Sequence, residues 1–134
     1  MIISSIEHAG RGYTMMTPAQ LVKAGVPQAL IDAAIADCRR ALIRDECRRR
    51  IYAVASAETQ MNWASATAVI SAKSAAQRSE PERATLAALG DAIGWVQAMR
   101  ANVGTLAADA GSDFTLDTAW PTCPQSVIDA VAQF

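Results

Sequence analysis

An all-α fold is the architecture this sequence predicts: a long antiparallel helical hairpin with short flanking helices and an extended N-terminal arm. Three observations predict it. From Gln28 to Glu80 there is neither glycine nor proline, and apolar or small residues recur there at helical spacing. A second such stretch follows from Pro81 to Ala108, behind a short polar connection that favours an antiparallel return. Only 5% of the 134 residues are aromatic although 51% are apolar, so alanine carries much of the apolar count. A core of such slight side chains is thin, and partners along the helices are the expected remedy.

Residues 1–16 have mixed polarity, two glycines and no sustained period, and read as an extended or strand-like arm ordered by a neighbour. Met15 or Met16 is an alternative start of translation, since the first clear signal lies just beyond. Thr17-Pro18-Ala19-Gln20 combines a threonine N-cap, a proline at the first helical position and a glutamine at the third. The short helix it opens ends at Gly25, a residue suited to a C-cap. Residues 17–134 are then expected to form a single helical domain.

The first long helix is expected over Gln28 to Ser74, either continuous or bent near Ser56 or Ser65. Leu30, Ile31, Ala34, Ile35, Cys38 and Leu42 form its opening stripe. The stripe then passes through Ile43, Cys47, Ile51, Val54, Glu58 and Met61, in steps that settle into the heptad pattern. Ser79-Glu80-Pro81-Glu82 is a second capping sequence. The helix behind it repeats Leu86, Leu89, Ile93 and Val96 at steps of three and four, and Leu89, Ile93 and Val96 are expected to be buried in the hairpin or between subunits. Its glycines Gly90, Gly94 and Gly104 each cost about 1 kcal/mol against alanine, and close approach of another helix is the expected compensation. Gly111, Asp113 and Asp117 mark a loop, and Pro124 opens a last short helix.

No catalytic constellation, cofactor motif or metal-ligand spacing is present. His8, the only histidine, stands in the arm beside Glu7, which argues against a hydrolytic triad and excludes a two-histidine metal site. The glycines of Gly10-Arg11-Gly12 and Gly90 to Gly94 lack the strand–loop–helix setting of phosphate loops. Cys38, Cys47 and Cys123 have no CxxC spacing and read as free thiols. The run Arg39, Arg40, Arg44, Arg48, Arg49, Arg50 places Arg40, Arg44 and Arg48 on one face. Asp45 and Glu46 stand four residues before Arg49 and Arg50, the spacing of surface ion pairs. A net charge of -1 disfavours nucleic acid and anionic membranes as partners. No apolar run is long enough to span a membrane, and Met1-Ile2-Ile3 lacks the features of a signal peptide.

Ile51, Val54, Met61, Trp63, Trp95, Trp120 and Phe134 are the candidate interface residues, with the tryptophans anchoring either the core or an assembly surface. Across residues 43–134, the segments Ile43 to Val54, Gln60-Met61-Asn62, Trp95 to Arg100, Trp120-Pro121 and Val131 to Phe134 resemble small helical proteins encoded among the tail and tail-fibre genes of double-stranded DNA bacteriophages. That resemblance implies a non-enzymatic, tail- or fibre-associated virion structural protein, working as a homo-oligomer with other tail or fibre proteins. It implies a place in the virion, and in the host cytoplasm during assembly. A transient fibre-assembly chaperone or adaptor is the alternative.

Overall fold

The computed structural model describes residues 1–134. The chain is mostly helical with one small antiparallel sheet, in the order β1 (Ile3–His8), β2 (Arg11–Met16), α1 (Pro18–Lys23), α2 (Gln28–Val54), α3 (Ala57–Ser71), α4 (Glu80–Ala108) and α5 (Gln125–Val131). The expected all-α class is corrected accordingly. The chain divides into two compact units, Met1–Ile43 and Arg44–Phe134. The sequence reading places its boundary at 16/17 instead.

In the first unit the segment read as an arm is a β-hairpin, paired from Ile3 with Met16 to His8 with Arg11. Its two-residue loop, Ala9-Gly10, has φ of 51° and 75°, the doubly left-handed geometry whose twist matches paired strands. Met15, at φ 52°, lies between the Ile3–Met16 and Ser5–Thr14 pairs and interrupts the regular alternation. Ile3 and Ile6, three residues apart, are therefore both buried, and they share a core with Leu21, Val26 and Ile31. The hairpin is thus ordered by its own chain.

Helix α1 carries both halves of the expected capping box. Gln20 N donates to Thr17 Oγ1 at 3.3 Å, and Thr17 N donates to Gln20 Oε1 at 2.8 Å. At its other end Gly25, at φ 81°, lets Val26 N reach Leu21 O and its own N–H reach Val22 O. This is the Schellman closure, with Val26 buried beside Leu21.

The second unit shows why the first long helix is broken. α2 stops at Val54, and Ser56 caps a new helix by accepting from Thr59 N at 3.1 Å. Gln60 Nε2 donates to Ala55 O at 2.8 Å, satisfying a carbonyl that the break would otherwise orphan. The break resets the helical phase. Cys47 keeps its inward place, but beyond Ser56 the buried residues are Trp63, Thr67 and Ile70, while Glu58 and Met61 face outward.

Helix α4 begins at the expected capping box, Ser79 with Glu82. It packs against α3 and α5 around Trp63, Ala88, Val127 and Ala130. The loop behind it is held down by side-chain donors: Trp95 Nε1 to Pro121 O at 3.0 Å, Asn102 Nδ2 to Ala119 O at 2.7 Å, and Trp120 Nε1 to Phe114 O at 2.8 Å. Ser126 Oγ donates to Asp91 Oδ2 at 2.6 Å and ties α5 to α4. The expected close helix approach at Gly90, Gly94 and Gly104 is absent within the chain, because a Cβ at any of them would meet nothing within 4 Å. Ile93, expected inside the seam, is 52% exposed.

Candidate functional site

The elbow between α2 and α3 faces α4 across a trough in the second unit. Two depressions of about 550 and 330 Å³ share Ile51, Gln60, Val96 and Arg100 and so run into one another. Its α2 wall presents Arg44, Cys47, Arg48, Ile51 and Val54; the α4 wall presents Leu89, Ile93, Val96, Arg100 and Val103. Both walls step by three and four residues, so each is a single helix face. α3 closes one end with Gln60, Trp63 and Ala64.

The floor is apolar and the edge is cationic. Arg44, Arg48 and Arg100 are exposed, and none of them is ion-paired to a carboxylate. Arg48 lies 5.5 Å over the ring of Tyr52. No Asp or Glu contributes to the lining of either depression. Burial raises the Cys47 thiol, with the Arg100 charge acting weakly in the opposite sense, so it stays protonated at neutral pH.

Arg49 and Arg50, which close the arginine run, are neutralised. Glu46 holds Arg49 at 2.7 Å, three residues on, and lies 2.8 Å from Arg50 Nε in an ion pair that lacks hydrogen-bond alignment. The Arg49 hydrogen bond holds the Glu46 carboxyl below the usual carboxylate range, with the Arg49 and Arg50 charges adding to it. Arg50 reaches on to Asp117 and to the Thr115 carbonyl, and its guanidinium lies 5.5 Å over the Trp120 ring.

No model of a known protein family matches the chain, and no curated protein matches it.

The seven candidate interface residues separate into two groups. Trp63, Trp95 and Trp120 are buried in the unit's own interior, and Phe134 stacks on Trp63 with ring centroids 6.1 Å apart. Ile51 and Val54 are half-buried in the trough wall, and Met61 is 65% exposed on the outer face of α3. Sequence reasoning aligned Arg44 with Arg48 but missed Arg100. The signal for it was an arginine interrupting the apolar stripe of α4 between Val96 and Val103. No three His, Cys, Asp or Glu side chains converge on a point where a metal ion would sit, and no helix is long and apolar enough to cross a membrane.

Proposed function

We infer that this chain is a non-enzymatic assembly protein, associated with a bacteriophage tail or tail fibre, that forms oligomers through its long helices. The observation that carries the reading is apolar surface left uncovered on helices that already have a core. Met61 and Val69 on α3 are 65% and 67% exposed, and α4 sets Ile93 beside Gly90 and Gly94 with no neighbour over them. Large apolar side chains left exposed on helices that already pack a core are surface that a protein partner can cover. Glycines in a helix interior carry a propensity penalty that a closely approaching helix of a second copy would offset. The antiparallel hairpin of long helices is the element proposed to associate, and the tail or fibre setting rests on the sequence resemblance over residues 43–134.

Particles of the virus that encodes the chain, purified through a density gradient and probed with an antibody to it, test this reading. Stoichiometric retention in the particle is expected. Absence from particles, together with reversible binding of the chain to a fibre fragment, would replace the structural role with that of a transient adaptor.

A further inference from the structure

We propose that the trough between α2 and α4 is a docking site for an acidic amphipathic helix of another protein. The inference rests on the reading of the chain as an assembly protein, and it specifies the partner's chemistry.

Shape selects a helix. Along α2 the trough runs from Arg44 to Val54, a rise of about 15 Å or nearly three helical turns. Its two walls are helix faces whose side chains repeat at three and four residues, so a third helix lying between them packs ridges into grooves on both sides. An extended strand in the same place would turn backbone N–H and C=O groups toward Ile51, Val54, Val96 and Val103, where nothing can pair with them. A helix satisfies those groups internally. The trough is also open along its upper edge, where Arg44, Arg48, Tyr52, Gln60, Ile93 and Arg100 are exposed, unlike the enclosing pockets that bury most of a small ligand.

Charge selects the sign. Three guanidinium groups without a carboxylate partner border an apolar floor whose lining holds no acidic residue, in a chain whose overall charge is -1. An occupant with leucine-like residues at every third and fourth position, flanked by Asp or Glu, meets both the floor and the edge. The exposed apolar face of α3 in a second copy is a poor match. The outward face of α3, with Met61 and Val69, carries Glu58 as its acidic residue against three arginines.

The probe is a fluorescein-labelled helical peptide of about eighteen residues, or five turns, with leucines on one face and glutamates flanking them. Its control replaces every glutamate by lysine. Fluorescence anisotropy with the full chain should show saturable binding of the glutamate peptide and binding at least about tenfold weaker for the lysine peptide. Raising the salt from about 0.05 to 0.5 M should weaken the first. The triple variant Arg44→Glu/Arg48→Glu/Arg100→Glu alters only exposed side chains, and circular dichroism will verify that it stays helical. It should reverse the preference between the two peptides.

Equal binding of both peptides, unchanged binding of the glutamate peptide by the triple variant, or no saturable binding at all would overturn the proposal. Absence of peptide binding together with a wild-type dimer that the triple variant dissolves would assign the trough to a second copy instead. Self-association without peptide binding defeats this inference and leaves the oligomer reading standing. A monomer that binds the peptide does the reverse.

Discussion

Arg50 Nη1 lies 2.7 Å from Asp117 Oδ1, joining α2 to a loop 67 positions further along the chain. Its Nη2 donates to Thr115 O at 2.9 Å, and the guanidinium covers the Trp120 ring. The Arg50 side chain is only 13% exposed, so these contacts are shielded from water as surface pairs are not. Asp117 is itself 96% exposed, which limits the ion pair's own contribution and leaves the carbonyl bond and the ring contact as the larger part.

Replacing Arg50 by alanine should therefore lower stability by about 1 to 3 kcal/mol and open the loop between α4 and α5 to limited proteolysis. Arg50→Lys should recover only part of this, because an ammonium lacks the planar fork that reaches Asp117 and Thr115 together. Urea unfolding and a time course of trypsin digestion read the two effects. A wild-type midpoint and cleavage rate in Arg50→Ala would show that the loop is held by Trp95, Asn102 and Trp120 alone.

The three tryptophans should respond unequally to phenylalanine. Trp95 and Trp120 donate to Pro121 O and Phe114 O, bonds that phenylalanine deletes. The Trp63 N–H is buried without an acceptor, a condition that costs about 1 to 3 kcal/mol. Trp63→Phe relieves that penalty while losing some packing against Phe134, and should change stability by less than about 1 kcal/mol. Trp95→Phe and Trp120→Phe should each destabilise by roughly 1 to 3 kcal/mol. Equal losses in all three midpoints would mean that packing area, not hydrogen bonding, sets their contribution.

Acid should remove what Glu46 contributes. Its carboxyl titrates below the ordinary glutamate value of about 4.3, chiefly because Arg49 hydrogen-bonds the charged form. A folded-state value below the unfolded one adds stability that is complete above the unfolded value and disappears as pH falls through the folded value. Wild type should thus exceed Glu46→Gln in urea midpoint at neutral pH, and the gap should narrow progressively as the pH falls below the ordinary glutamate value. A gap that stays constant across that range would remove the ion pairs from the account.

Gly94 stands in α4 with nothing within 4 Å of the position an alanine methyl would take, and its φ is not left-handed. Gly94→Ala should consequently raise the thermal midpoint of the isolated chain, by an amount equivalent to about 1 kcal/mol. A fall in midpoint at concentrations where the chain is monomeric would reveal a close neighbour on this face within the chain.

Much of the helical framework was legible because its boundaries are written in side chains. Thr17 with Gln20 and Ser79 with Glu82 announce helix starts by chemistry that works locally, and α1 and α4 begin where those residues say. The β-hairpin was hidden for the opposite reason. Ile3 and Ile6 do not alternate, and Ala9-Gly10 is a weak turn signal beside Asn-Gly. The break at Ala55-Ser56 involves neither glycine nor proline, and only the capping role of Ser56 marks it. With the phase reset there, the seam assigned to Glu58 and Met61 fell on the wrong face. The trough needed tertiary information, since Arg100 joins Arg44 and Arg48 only once α4 folds back beside α2.

Sedimentation equilibrium of the purified wild-type chain, over at least about a hundredfold range of concentration, tests the assembly claim most directly. The weight-average mass should rise with concentration above the 14.2 kDa of one chain, and should be lower for Gly94→Leu at matched concentration. A mass that remains at 14.2 kDa throughout would contradict the claim.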